Sequence, residues 1–133
     1  MSTLKKKKKE KISTWKKKAD KVFSLFIRKR DAEFGGSCIT CGKWFDYDEM
    51  DAGHFISRNC LQLRYNEKNV NAQCRGCNRF RSGEQALYVR GLDSKYKKGT
   101  ADKLLDIYME SKKNIQSFPV EFYQDIYHKY KKI

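Results

Sequence analysis

The chain has 133 residues, enough for one compact domain and too few for two large ones. Lysine and arginine number 30 against 16 acidic residues, and the formal net charge of +14 favours a nucleic acid as partner. A solubilising basic surface, or attraction to an anionic membrane, is the blander alternative. Because no apolar run is long enough to span a bilayer and none follows the basic start, we expect neither a membrane span nor a secretory signal.

The beginning of the chain is basic and has a helical pattern. Residues 1–11 are rich in lysine, have little to bury and predict a disordered tail. Residues 12–34 predict a basic amphipathic helix, because apolar side chains recur at steps of three and four. Those apolar residues are Trp15, Ala19, Val22, Phe23, Phe26 and Ile27. The polar side of this helix supplies candidate DNA-binding residues, which are Lys16, Lys17, Arg28 and Arg30.

The remaining elements follow in two blocks of one domain, which we expect to span residues 12–133. Residues 37–82 predict the core, with a strand over 50–57 and a helix that starts near Cys77. Residues 84–133 predict a helical C-terminal part. Its helices are expected at 84–92, at 101–113 and after Pro119, and the aromatic stripe of the last one is expected to be core.

The cysteines of the core are arranged as two pairs, each of the form Cys-x2-Cys, with 32 residues between them. Two such pairs supply four thiolates in a tetrahedron, which predicts a structural Zn²⁺ with no open coordination position. The alternative is four free or redox-active cysteines. The fifth cysteine, Cys60, has no partner at this spacing and is not expected to be a ligand. The predicted ligands are Cys38, Cys41, Cys74 and Cys77.

His54 and Asn69 lie between the two cysteine pairs, and Asn78 directly follows the second pair. The order His54, Asn69, Asn78 resembles the HNH motif, in which a histidine on a strand, a central asparagine and a last His or Asn converge on one metal ion. Asn78 in the last position resembles the endonuclease VII type of phage junction resolvase, which also has four zinc cysteines. The resemblance implies that His54 is the general base and that Asn69 orients it from the facing strand. The blander reading is a structural histidine with two turn or cap asparagines.

Hydrolysis of a phosphodiester by such a site is expected to use Mg²⁺, or Mn²⁺, to neutralise charge on the phosphate. Asn78 offers the cation an oxygen. The family usually has Asp or His directly before the catalytic histidine, where this chain has Gly53. Asp51 is our substitute ligand, because Mg²⁺ sites generally include a carboxylate. Its competitors are Asp46, Asp48 and Glu67.

Five blocks follow one another along the chain, at residues 19–24, 27–31, 53–58, 62–69 and 73–78, and Ser82, Gly83 and Tyr88 continue the pattern. Together they resemble the NinG/Rap family of phage recombination endonucleases. This resemblance implies a DNA endonuclease that cuts branched intermediates such as Holliday junctions or D-loops in the cytoplasm of a bacterial host, encoded by a phage or prophage. Symmetric cutting of junctions favours a homodimer. Arg58 and Arg64 lie near His54 in sequence, and we expect one of them to grip a phosphate.

The fold expected from all of these features is α+β: a treble-clef zinc finger enclosing a ββα-metal (HNH) motif, with a basic N-terminal helix and C-terminal helices. The main alternative is a non-catalytic zinc-finger protein that binds DNA, in which His54 is structural. A third possibility is an RNA-binding zinc ribbon.

Overall fold

The computed structural model describes the backbone of residues 2–131 and the side chains of residues 11–131. It is a mixed α+β structure with four helices and two small antiparallel sheets in the described chain, which confirms the expected α+β class. The helices are α1 (Ser2–Ala32), α2 (Gln85–Lys95), α3 (Thr100–Lys113) and α4 (Val120–Tyr130). The strands are β1 (Gly36–Ser37), β2 (Trp44–Phe45), β3 (Met50–His54) and β4 (Val70–Cys74).

The chain divides into two compact units, Met1–Phe26 together with Ser117–Ile133, and Ile27–Gln116. Our expectation of one domain over residues 12–133 stays a prediction. The helix α1 begins at Ser2 and ends at Ala32, two residues before the expected end. The disordered tail expected over residues 1–11 falls mostly outside the residues whose side chains are described, and it also stays a prediction.

The first unit is held together by aromatic rings on α1 and α4. The rings of Trp15 and Tyr127 meet edge to face with centroids 5.3 Å apart, and those of Phe23 and Tyr130 do so at 4.9 Å. Tyr123 and Tyr130 are buried. Edge-to-face pairs of this kind are favourable beyond the area they bury. The prediction that the aromatic stripe of the last helix is core is therefore confirmed.

The second unit is built around an antiparallel ribbon of β3 and β4. Met50 pairs with Cys74 at one end of the ribbon and His54 pairs with Val70 at the other. An apolar cluster that includes Phe55, Leu63 and Tyr88 packs between the loop after β3 and the helices α2 and α3. The ribbon is thus buried enough to fix its register.

Two elements of this unit differ from the sequence expectation. The strand predicted over 50–57 ends at His54, because the chain turns there into the loop that leads to β4. The helix expected near Cys77 is a single π-helical turn, Gly76–Phe80, which is followed by positive φ values at Ser82 and Gly83. That backbone cannot continue a helix. No helix in the described part of the chain is both long enough and apolar enough to cross a membrane.

Candidate metal centre and histidine site

Four cysteines converge at one end of the ribbon. Cys74 ends β4, Cys77 lies in the π-helical turn, and Cys38 and Cys41 flank the turn between β1 and β2. Their Sγ atoms all lie within 4.8 Å of one another, and the Sγ atoms of Cys41 and Cys74 are 3.9 Å apart. Four sulfurs at about 2.3 Å from one zinc ion would be roughly 3.8 Å apart. The four cysteines therefore fit a metal ion such as zinc.

Backbone hydrogen bonds shape this cluster before any metal is considered. Gly42 has a φ of +76° and donates its N–H to the Cys38 carbonyl at 2.9 Å, which folds the first pair into a tight turn. The N–H of Cys74 points at Cys38 Sγ at 3.3 Å. Burial raises the pKa of Cys38, but N–H donors from Cys41 and Cys74 and the Thr40 hydroxyl outweigh it and lower that pKa to about 6. The site therefore favours a thiolate at Cys38.

The fifth cysteine belongs to another part of the unit. Cys60 is buried in the apolar cluster, and its Sγ lies 3.5 Å from the Ser111 hydroxyl. It is outside the group of four sulfurs. This placement agrees with its exclusion as a ligand.

His54 occupies the other end of the ribbon. Its Nε2 lies 2.9 Å from the backbone carbonyl oxygen of Arg64. A carbonyl oxygen only accepts, so a neutral imidazole in this geometry carries its proton on Nε2. The acceptor nitrogen of that tautomer is Nδ1, the atom that a general base would use.

Asn69 is buried beside His54, but it holds the loop and not the imidazole. Its amide oxygen accepts from the N–H of Ile56 at 2.8 Å, and its nitrogen donates to the carbonyls of Ile56 and Leu63, both at 3.0 Å. These bonds close the segment that brings the Arg64 carbonyl to His54. The expected direct orientation of His54 by Asn69 is therefore replaced by an indirect one, through the loop backbone.

Asp51 and Asn78 are brought together, yet arginine occupies the carboxylate. Asn78 donates its side-chain N–H to Asp51 Oδ2 at 3.0 Å. Arg79 binds both oxygens of Asp51, at 2.8 and 2.9 Å, and Arg75 Nε lies 3.9 Å from one of them. Burial raises the pKa of Asp51, but the hydrogen bonds from Arg79 and Asn78 outweigh it and lower that pKa. The carboxylate is therefore ionised and already paired.

The proposed ligands also leave the ribbon in different directions. Asp51 and His54 are three residues apart on β3. Side chains alternate between the two faces of a strand, so these two point to opposite faces. The structure thus joins Asp51 to Asn78 and separates both from His54, contrary to the single site that the sequence suggested.

The competing carboxylates belong to exposed residues. The carboxylates of Asp46, Asp48 and Glu49 lie within 4.8 Å of one another, but all three residues are exposed and precede β3, at the end of the strand away from His54. Glu67 is exposed in the loop before β4.

Gly53 is required by its neighbour across the ribbon. A Cβ at this position would clash with Oε1 of Gln73 and lie 2.9 Å from its Cβ. Gln73 is fully buried and anchored through Nε2 to the Thr40 hydroxyl at 3.1 Å and to the Gly83 carbonyl at 2.9 Å. Among the described side chains, its Oε1 has no hydrogen-bond partner. The residue that the resembled family usually carries before the histidine therefore has no room in this chain.

A buried polar network that sequence reasoning missed supports the histidine end of the ribbon. Asn71, fully buried on β4, accepts at Oδ1 from Lys95 at 2.7 Å and from Tyr96 at 2.8 Å. Asp31, near the end of α1, accepts from Lys95 and from the N–H of Ala72, both at 2.8 Å. The sequence predicts that Asp31 lies in the last turns of the first helix, but no pattern in the sequence predicts its contact with β4.

The six candidate DNA-binding residues are not equally available. Arg64 is buried at 7% exposure and donates to the Arg58 carbonyl at 3.0 Å, so it does not present its guanidinium to solvent. Arg30 is committed to Asp31 and to the carbonyls of residues 67 and 70. Tertiary hydrogen bonds therefore engage both guanidinium groups, although Arg30 as a residue is still exposed. The DNA-binding role of these two arginines stays a prediction. Of the others, Lys16 and Arg28 are partly buried, each about 6.0 Å from a tyrosine ring, whereas Lys17 and Arg58 are exposed.

These features define a small, basic α+β protein with a cluster of four cysteines that could hold a metal ion at one end of a β-ribbon and a backbone-anchored histidine at the other. The profile of the family described as the bacteriophage lambda NinG protein matches residues 2–133, and the chain belongs to that family.

Curated relatives carry the same name. The chain is 36% identical to protein ninG of Escherichia phage lambda over 93 residues, which is 69% of this chain and 44% of that protein. It is 33% identical to protein ninG of Escherichia phage 933W over 119 residues, 89% of this chain and 55% of that protein. It is 38% identical to protein ninG of Salmonella phage P22 over 77 residues, 57% of this chain and 36% of that protein. The chain spans about half the length of these relatives or less, and no solved structure gives a significant match.

Proposed function

We propose that this protein is a DNA endonuclease that hydrolyses phosphodiester bonds in branched recombination intermediates, such as Holliday junctions and D-loops. The observation that carries the proposal is the hydrogen bond between His54 Nε2 and the Arg64 carbonyl. It selects the tautomer that a general base needs and fixes the ring at the end of a buried ribbon. The net charge of +14 supplies attraction to the DNA backbone.

In the proposed reaction, His54 Nδ1 takes a proton from a water molecule as the water oxygen bonds to the phosphorus. The bond from the phosphorus to one sugar oxygen breaks, and that oxygen takes a proton from solvent water, which leaves a phosphate monoester and a free hydroxyl. The loop held by Asn69 keeps the Arg64 carbonyl in place, so the imidazole does not rotate when it becomes charged. An imidazolium formed at His54 still donates from Nε2 to the same carbonyl. The backbone contact thus serves both protonation states of the base.

A resident Mg²⁺ does not fit Asp51 in this arrangement. Both carboxylate oxygens accept from Arg79, and Arg75 adds a second positive charge nearby. A dication at Asp51 would face two guanidinium groups. We therefore assign no step to a metal at Asp51 and Asn78. Cleavage assays with and without Mg²⁺ or Mn²⁺ test whether the reaction requires a cation.

The cysteine centre is assigned a structural role. We propose Zn²⁺ as its metal, because four thiolates complete a tetrahedron and leave no position for a substrate. Zinc would tie the turn that carries Cys77 to the strand that ends at Cys74. In this role the metal fixes the ribbon on which His54 stands.

The cellular setting of the proposal rests on the relatives, which are proteins of phages that infect bacteria. We propose that the protein acts on recombining phage DNA in the bacterial cytoplasm. Paired cuts across a junction would need two active sites, and we propose a homodimer for that purpose.

A second function is favoured by a specific observation. The arginine pairing of Asp51 and the burial of Arg64 remove two of the groups expected to act on a phosphate. This favours a non-catalytic, zinc-stapled protein that binds DNA, in which His54 serves only to hold the loop. The two proposals differ in what the loss of His54 does to cleavage.

The deciding experiment incubates zinc-loaded protein with a labelled four-way DNA junction, the matched linear duplex and a matched RNA, with and without added Mg²⁺ or Mn²⁺. Omitting the cation, in place of adding a chelator, leaves the cysteine centre intact. His54→Ala is expected to abolish cleavage, a loss of at least 100-fold on the scale of about 10²–10⁴-fold for general-base catalysis, while junction binding stays within about twofold. His128→Ala is the matched control, because His128 is an exposed histidine on α4.

Nicking of the junction alone supports the full proposal, whereas equal nicking of the duplex removes the branch selectivity. Cleavage without added cation would show that the reaction does not require the expected Mg²⁺ or Mn²⁺. Tight DNA binding with no cleavage under any cation favours the second function. Cleavage by His54→Ala at the wild-type rate would show that His54 is not the base.

A further inference from the structure

Phe80 projects into solvent from a turn whose backbone is held by hydrogen bonds. It is 82% exposed and is the last residue of the π-helical turn Gly76–Phe80. Cys77 of the same turn belongs to the cysteine centre. Arg81 donates its backbone N–H to the Gly76 carbonyl at 3.0 Å, and Gly83 donates to the Cys77 carbonyl at 2.8 Å. The ring is therefore displayed by fixed backbone and not by a loose loop.

Three exposed arginines lie close to Phe80 in sequence. Arg79 and Arg81 flank Phe80 in sequence, and Arg75 precedes the turn; their side chains are 57%, 53% and 48% exposed. Each guanidinium has five N–H donors, and the contacts of each with protein use only some of them. The remaining donors are available to phosphate oxygens.

The turn also contacts the β3–β4 ribbon at Asp51, whose side chain lies on the face of β3 opposite to that of His54. Asn78, two residues before Phe80, is bonded to Asp51 on β3. A DNA strand gripped by the arginines of the turn would therefore run beside β3.

The chain has other exposed large rings, and their surroundings differ. Phe34 is 92% exposed but follows the acidic Glu33 and has no arginine within two residues in sequence. Trp44 is 68% exposed and its indole lies against Gly35, where an added Cβ would be 2.5 Å from Nε1. Phe80 combines a free ring face with neighbouring guanidinium groups.

We propose that Phe80 stacks on an unstacked base at a branch point or an unpaired position in DNA, while the arginines of its turn hold the flanking phosphates. The inference rests on the proposed function for its choice of DNA. A fully paired duplex offers no base face to an aromatic ring, whereas a junction, flap or bulge does. Phe80 is thus a specificity-determining residue that favours branched DNA over duplex.

The test compares Phe80→Ala, Phe80→Trp and the matched control Phe34→Ala with wild type. Binding is measured by fluorescence anisotropy on a four-way junction and on a linear duplex, without added Mg²⁺. In a parallel arm, 2-aminopurine replaces one base at the branch point, because its fluorescence reports stacking. Thermal melts check that each variant is folded, as expected for substitutions at exposed positions.

Phe80→Ala is expected to weaken junction binding about tenfold and duplex binding by no more than about twofold, on the scale of stacking one base on an aromatic ring. It should also abolish the 2-aminopurine signal, and Phe80→Trp should retain it. Phe34→Ala should behave as wild type.

Equal losses on junction and duplex, or no loss on either, would overturn the inference. The assay measures binding alone. A stacking signal in a protein that never cleaves DNA would support base stacking by Phe80 and would contradict the proposed endonuclease activity. A wild type that binds neither DNA would overturn both.

Discussion

The two ends of the β3–β4 ribbon are stabilised by different chemistry. At the Met50–Cys74 end, four thiolates surround a space that fits one metal ion. At the His54–Val70 end, buried amides, a carboxylate and a lysine hold the chain through hydrogen bonds. The cysteine end therefore depends on one ligand, whereas the histidine end depends on many contacts of modest size.

This difference predicts how each end fails. If a metal ion holds the four cysteines, loss of one cysteine removes that ion. The contacts that join the β1–β2 turn, β4 and the π-helical turn are then lost together. Loss of one hydrogen-bonded side chain at the other end leaves its neighbours in place but unpaired, which lowers the stability by a graded amount. Variants at the two ends test the comparison directly.

The largest effect is expected at the cysteine end. Cys74→Ser, or removal of zinc by a strong chelator, should unfold the second unit, because structural zinc contributes on the order of 10 kcal/mol and a domain is stable by only about 5–15 kcal/mol. Circular dichroism and zinc content per chain are the measurements.

The control for this change is Cys60→Ala, which removes a buried sulfur outside the metal centre. It should keep one zinc ion per chain and cost about 1 kcal/mol. A Cys74→Ser protein with an unchanged melt would mean that the metal is not what holds this end.

At the histidine end, Asp31→Ala is expected to lower the free energy of unfolding by about 3 kcal/mol, since it leaves the charges of Arg30 and Lys95 without their partner. Burial raises the pKa of Asp31, but the hydrogen bonds from Arg30, Lys95 and the Ala72 N–H outweigh it and lower that pKa, so the carboxylate is charged at neutral pH. Urea unfolding at neutral pH is the measurement.

Glu33→Ala is the matched control, because Glu33 is an exposed carboxylate two residues away. It should change the stability by less than about 0.5 kcal/mol. Equal effects of the two substitutions would show that the network contributes no more than a surface charge.

The same contrast explains what could be predicted from the sequence. The cysteine ligands follow from spacing alone, and the helices α2, α3 and α4 follow from apolar periodicity close to their observed bounds. Metal ligands and helical faces are local patterns, which one sequence displays directly.

The contacts of the histidine end are not local. Asp31 accepts a hydrogen bond from Ala72 on β4 across about 40 residues of chain. The guanidinium groups of Arg30 and Arg64 bond to backbone carbonyls, and no spacing in the sequence indicates these contacts. Arginine is usually exposed, so both were expected to face DNA. Strand alternation alone places Asp51 and His54 on opposite faces once β3 is recognised, so the sequence already argued against a single site that contains both side chains.

The middle of the ribbon offers a sharper test of how tightly its two strands are matched. Gly53→Ala should cost about 2 kcal/mol, because its methyl group would press on Gln73, which is anchored and cannot move aside. Gln73→Ala should also destabilise, since it leaves the Gly83 carbonyl unpaired.

The double variant distinguishes steric conflict from general damage. If the conflict is between these two side chains, the combined loss should be smaller than the sum of the single losses by about 1 kcal/mol or more. Additive losses would place the cost of Gly53→Ala elsewhere in the ribbon.

The smallest expected effect separates the two arginines near the histidine end. Arg58 is exposed and Arg64 is buried, so only Arg58 is free to reach a phosphate without unfolding the loop. Arg58→Ala should leave the thermal melt unchanged and flatten the plot of log affinity for DNA against log salt by about 0.9, the contribution of one phosphate contact. Arg90→Ala, which removes an exposed arginine from α2, controls for the loss of one positive charge and should leave that slope unchanged. A slope that is the same for Arg58→Ala and wild type would mean that the DNA path does not cross the histidine end of the ribbon, and the catalytic proposal for His54 would weaken with it.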